Sequence, residues 1–230
     1  MKIKFNLLGN AIDSIERGIE LIAWKAESGD ARRGDARRLK QAVLSVAHGV
    51  ELLLKERLRR VHPVLIWENV DKFPSLSART VTVDIAIGRL EKIGGITLSR
   101  ADSDLIRSLR DTRNAIEHYA WTTTKDEAEQ IIGEALGFAI HFAKEELSHN
   151  FFGYETQRDG TFQTLLEESP KFAASFHSRY QQQGLVRSKM ICSHCHAKSV
   201  NSSTGACDLC GHWNETFFGS GIPELDDDPF

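Results

Sequence analysis

Apolar residues in the first 148 positions recur at intervals of three and four and do not alternate, which predicts helix after helix and little sheet. Ile12, Ile15, Ile19 and Ile22 make one stripe of a first helix. The segment ESGDARRGDA, with two glycines and no apolar anchor, predicts a loop after it. A second helix is expected from about Leu39 to Val61, with Leu39, Val43, Val46, Val50, Leu53, Leu54 and Leu58 on its buried side and Pro63 as its stop. HPVLIWENVDKFPSL, with two prolines, reads as a loop with apolar anchors. A helix through DIAIGRLEKI should end at Gly94 and Gly95, and Ser99 precedes a helix through ADSDLIRSLRDTRNAIEHYAW. Thr124 is placed to cap the last long helix, with Ile131, Ile132, Ala135, Phe138, Ala139 and Phe142 facing inward.

About five helices joined by modest loops predict an all-α, up-and-down bundle over residues 1–148. Residues 149–188 read as a helical extension or linker broken at Pro170, 189–218 hold every cysteine, and 219–230 form an acidic tail expected to be flexible. A length of 230 residues suits one main core with an appendage. Its 41% hydrophobic and 27% charged content lies in the globular range, which excludes wholesale disorder. A net charge of -3 excludes a globally basic nucleic-acid binder, yet ARRGDARRLK concentrates Arg32, Arg33, Arg37, Arg38 and Lys40, a local patch suited to phosphates. No stretch reaches the roughly 18 to 20 apolar residues that span a bilayer, and MKIKFNLLGN lacks a signal-peptide pattern, so the expectation is a cytoplasmic protein without a membrane partner.

The four cysteines fall within nineteen residues as C-S-H-C, eleven intervening residues, and C-D-L-C. Two such knuckles on a hairpin can set Cys192, Cys195, Cys207 and Cys210 tetrahedrally about Zn²⁺ at about 2.3 Å. In the expected intracellular setting, metal is favoured over disulfides. A full thiolate shell leaves no position for water, so the zinc would be structural, and no metal is assigned to catalysis. His194, His196 and His212 lie beside the knuckles as alternative ligands. Residues 190–214 resemble a zinc ribbon, a module that binds nucleic acid, protein or nothing.

L-R-D-T-R-N-A-I-E-H-Y-A-W, residues 109–121, sets Arg113 and Asn114 ahead of His118. This segment resembles the HEPN superfamily, whose ribonuclease members carry Arg, a polar residue and then His at such a spacing near the start of a late helix. AVLSVAHGVELLLKERL is similar to the family's second helix, and the resemblance extends over about residues 5–148. It implies a metal-independent endoribonuclease acting on single-stranded or loop RNA, in a toxin or antiphage-defence setting, with an antitoxin or regulatory protein as a further partner. HEPN toxins silenced by nucleotide transfer carry a tyrosine two residues after the histidine. Here that position is Ala120 and the tyrosine is Tyr119, which puts such control in doubt.

The chemistry follows from the side chains. Metal-free RNA cleavage needs a group to move the 2′-hydroxyl proton, donors for the phosphorane charge and an acid for the leaving oxygen. His118 suits proton transfer, Arg113 the phosphate, and Asn114 the orientation of either. At about 100° per residue, Asn114 and His118 share a helix face while Arg113 lies about 140° from His118. Either the helix begins or bends near Arg113, or two copies meet; the resemblance implies a homodimer with a composite site. His48, Glu51, Lys55 and Arg59 make a polar stripe on the second helix, from which Glu51 either supports His118 or Arg113 or simply faces solvent. A different class of function is a non-catalytic RNA-binding or protein-interaction module that dimerises through the bundle, with Arg113 and Glu117 as an ordinary i,i+4 ion pair.

Overall fold

The computed structural model describes residues 5–23, 31–151, 161–182, 190–194, 200–202, 204–207 and 212–214; side chains are described from 35 in the second helix and over 164–179 in the segment 161–182. Helix α1, Leu7–Ala23, buries Ala11, Ile15, Ile19 and Ile22. These face α2, Ala31–Val61, whose predicted apolar stripe from Leu39 to Leu58 is buried throughout.

The segment 31–38, expected as loop, is instead the first two turns of α2. Its alanines and arginines are strong helix formers, and one internal glycine costs only about 1 kcal/mol. Arg38 anchors the turn by donating from Nη1 to the carbonyls of Leu21 (2.6 Å) and Ile22 (3.4 Å) in the last turn of α1.

Two short 3₁₀ turns, Pro63–Ile66 and Val70–Lys72, break the loop expected after α2. Arg89 holds this loop by donating to the carbonyls of Leu65 (2.7 Å), Trp67 (2.6 Å) and Glu68 (3.0 Å). Helix α3, Val83–Lys92, carries that arginine. Helix α4, Arg100–His118, starts at Ser99, whose hydroxyl accepts from the Asp102 amide. Helix α5, Lys125–Leu147, starts at Thr124 with a reciprocal capping box through Glu127. The predicted caps at Ser99 and Thr124 are therefore present.

Helices α6, Thr161–Glu168, and α7, Pro170–Gln182, follow, separated before Pro170 as the sequence predicts. They belong to the bundle core: Leu165 and Phe172 are fully buried, and α7 lies along α5. The approach is close because Gly133 and Gly137 of α5 face α7 without side chains. A Cβ on Gly133 would sit 2.6 Å from the Phe172 amide nitrogen, and one on Gly137 2.5 Å from Ser175 Oγ. Arg179 of α7 also pairs with Asp102 of α4 at 2.6 Å. All seven helices of the described residues are α-helical, and no strand longer than an isolated bridge occurs among them. None of these helices is long and apolar enough to cross a membrane.

Two consequences are measurable. Gly133→Ala should cost about 1–3 kcal/mol, because its methyl meets backbone and no side chain there can rotate away; denaturant unfolding checks this, and wild-type stability would refute the close crossing. Glu56, almost wholly buried on α2, binds Arg59 at 2.7 Å and Arg60 at 3.1 Å. Burial pushes its carboxyl up, but the hydrogen bonds and charges of Arg59 and Arg60 outweigh it and leave it below the ordinary 4.5. The folded state thus binds this proton more weakly than the unfolded chain. The resulting stabilisation is complete above pH 4.5 and fades as pH falls through the lowered value. Glu56→Gln should lose about 1–3 kcal/mol at pH 7, and the gap from wild type should close in acid, as melts across that range would show.

Candidate functional site

Helix α4 fully buries Ile106 and Leu109; residues 112–116 are half-buried, with Ile116 packed against the core, and Glu117 and His118 at its end are exposed. Arg107 and Arg110 are drawn back to Asp84 of α3, Arg107 at 2.9 Å. Hydrogen bonds from Arg107 hold the Asp84 carboxyl below its usual range against burial, with the charge of Arg110 adding to the effect. Arg113 therefore becomes the first arginine of this row directed at the free end of the helix.

The helix does not begin near Arg113. It runs through it and stops, with His118 as its final residue and Tyr119 as the C-cap, whose amide donates to the Ala115 carbonyl. Arg113 Nε lies 2.8 Å from Glu117 Oε2, and the same oxygen lies 3.9 Å from His118 Nε2. Glu117 is thus ion-paired with Arg113 and lies near His118, beyond hydrogen-bond distance of it. Its i,i+4 spacing to Arg113 is visible in the sequence, whereas its reach to His118 depends on side-chain conformation. His118 is largely exposed, Asn114 is half-buried and Tyr119 is 82% exposed, its ring edge-on to His118 at 6.4 Å.

Glu51 takes a different place. Its Oε1 accepts from Lys55 at 2.5 Å, and Lys55, buried among neighbours, also donates to Thr80 Oγ1 at 2.8 Å. Among the described residues Glu51 makes no hydrogen bond or ion pair with Arg113 or His118. The stripe of His48, Glu51, Lys55 and Arg59 is also not a uniformly solvated face, since Lys55 ties α2 to the segment before α3.

Of the four arginines predicted to hold phosphates, Arg38 is turned inward onto α1 and Asp35 and is not available to them. The side chains of Arg32 and Arg33 lie outside the described residues, as do Cys195 and Cys210. Arg37 is exposed and lines a cavity of about 740 Å³ between the start of α2 and the loop from α4 to α5. Asp35 on that wall bonds Lys125 at 3.0 Å. The hydrogen bond from Lys125 holds the Asp35 carboxyl below its usual value against the effect of burial, helped by the charges of Lys125 and Arg38.

In the cysteine segment, Cys192 and Cys207 are buried and neither forms a disulfide among the described residues. Antiparallel bridges join Val200 to Cys207 and Ala206 to Trp213, and the Cys207 amide donates to the His212 carbonyl at 2.7 Å. The His194 amide donates to Cys192 Sγ at 3.4 Å, the type of contact that stabilises a thiolate. Asn214, which sequence reasoning missed, is the buried tie. Its Oδ1 accepts from the Ser193 amide and hydroxyl, and its Nδ2 donates to the carbonyls of Gly205 and His212 and approaches Cys192 Sγ at 3.9 Å. His194 and His212 stack at 5.1 Å. No group of three or more metal-binding side chains is found among the described residues, two of the four cysteines being outside them.

Comparison with protein-family models, curated proteins and solved structures gives no match for this chain. The assignment of roles therefore rests on the residues themselves. For Asn214 the expectation is direct: Asn214→Ala should make Cys192 react roughly tenfold faster with a thiol reagent, through loss of about 1–3 kcal/mol of buried hydrogen bonding. Equal reaction rates would show that Asn214 does not hold this turn closed.

Proposed function

We propose that the protein is a metal-independent endoribonuclease of HEPN type, acting on single-stranded or loop RNA as a symmetric dimer. The observation that carries this reading is the grouping of Arg113, Glu117 and His118 at the end of α4, Glu117 Oε2 lying 2.8 Å from Arg113 Nε and 3.9 Å from His118 Nε2, so that a phosphate taking the place of that carboxylate would meet both the guanidinium and the imidazole. His118 moves the proton, Arg113 holds the phosphate and Asn114 orients one of them. Glu117 must release Arg113 to the incoming phosphate. Because one helix end supplies only one surface, a second copy set against it would complete a cleft from two such ends. A toxin or antiphage-defence role follows from the same resemblance.

The cysteines are read as a structural zinc site. Two buried thiols, one receiving a backbone N–H, fit the anionic sulfur that zinc requires; Cys192, Cys195, Cys207 and Cys210 would hold the ion and fix the hairpin. Such a module would serve as an accessory that binds RNA or a partner.

One observation favours the non-catalytic alternative: Arg113 already has a carboxylate partner at 2.8 Å. The two readings separate in one experiment. Purified protein should cleave RNA in a chelator too weak to strip zinc, and His118→Ala should lower the rate by about 10²–10⁴-fold. Glu117→Gln should bind uncleavable RNA up to about fivefold more tightly, the worth of an exposed ion pair. Cleavage unchanged in His118→Ala would remove the nuclease reading and leave the binding module.

A further inference from the structure

We infer that the cavity between the start of α2 and the α4–α5 loop binds a nucleotide, its base against Trp121 and its phosphate on Arg37 and Lys40. The cavity, about 740 Å³, is large enough for a small ligand of that size. Its walls carry Trp121, Leu39, Ala36 and Ala128, a flat aromatic face with aliphatic neighbours, which suits a planar heterocycle.

Charge fixes the polar end of the ligand. Asp35 and Lys125 share this wall but neutralise each other at 3.0 Å, with Glu129 a further 3.9 Å partner of Lys125. Arg37 and Lys40 are exposed and have no carboxylate partner among the described residues. The edge is therefore cationic, although the chain as a whole carries -3. An anion linked to an aromatic ring satisfies both halves of the cavity; a neutral apolar ligand would leave the two cations unanswered.

The position also suits a strand of RNA. Trp121 follows His118 by three residues, a chain distance of at most about 11 Å, and exposed Tyr119 lies between them. One strand could thus seat a nucleotide in the cavity and run on to the end of α4. That last step rests on the nuclease reading; the nucleotide chemistry of the cavity does not.

The test uses the full chain, a labelled 2′-O-methyl oligonucleotide that keeps bases and phosphates but lacks the attacking hydroxyl, and adenosine monophosphate. Arg37→Ala with Lys40→Ala should weaken oligonucleotide binding about tenfold and reduce the dependence of log K on log salt by about 0.7, the share of one neutralised phosphate on a single strand. Trp121→Leu should weaken binding about tenfold, with little change in that slope. Both cationic residues are exposed, so the double variant should melt like wild type and keeps the test decisive even if Trp121→Leu unfolds. Displacement of the oligonucleotide by adenosine monophosphate, lost in the same variants, would also support the cavity and would identify a free nucleotide as an occupant. Wild-type binding in the double variant, or no binding of either probe to wild type, would overturn the inference. Should binding show the expected dependence while wild type cleaves no RNA, the cavity stands and the nuclease reading fails.

Discussion

The bundle depends on arginines of α2 that satisfy the open ends of its neighbours. A helix leaves its last four carbonyls without intrahelical donors and carries partial negative charge there. Arg38 donates to Leu21 and Ile22 at the end of α1, and Arg60 donates to Leu147, the last residue of α5, at 2.9 Å. Arg57 reaches Gly94, just beyond α3, while pairing with Glu146. Three helices are thus fixed to one axial helix at their C-terminal ends, each by a charged hydrogen bond worth about 1.5–3 kcal/mol. The apolar stripe of α2 drives association; these contacts set where along α2 each partner stops.

This use of cations limits where an anionic ligand can bind. Arg38, Arg57, Arg59, Arg60, Arg89, Arg107, Arg110 and Arg179 are all held by carbonyls or carboxylates of the fold. A count of basic residues in the sequence therefore overstates the charge offered to an anionic ligand. Arg37 and Lys40 differ from Arg38 by one or two positions, yet the helical period points them outward as it points Arg38 at α1. Helix formation at 31–38 is what separates Arg38, held by the fold, from Arg37 and Lys40, which stay exposed.

The same division explains how far the sequence could be read. Helices with a repeating apolar face, such as α5, were legible together with their caps, because period and capping are local properties. The start of α2 was not, since it is anchored by a contact 17 residues away. Nor was the burial of Lys55, whose partner Thr80 lies 25 residues on. Asn214 escaped for the same reason: a single Asn gives no local sign that it will tie Ser193 to Gly205 and His212. The motif around Arg113 was visible as spacing, but its place on the last turns of α4, with Ile116 half-buried against the core and Glu117 and His118 exposed, depends on how that helix packs.

That position shapes the proposed chemistry. A residue on the last turn of an exposed helix is poorly shielded, and hydrogen bonds to phosphate gain strength only when water is displaced. Arg113 and His118 as they stand, one partly and one largely exposed, lack that shielding. The substrate itself or a second copy must supply it. A base seated on Trp121 would cover the approach from the loop side, and an opposing α4 end would cover the other. Under the proposed reading, substrate binding and dimerisation are then parts of the same step, the exclusion of water from a site that neither element encloses alone.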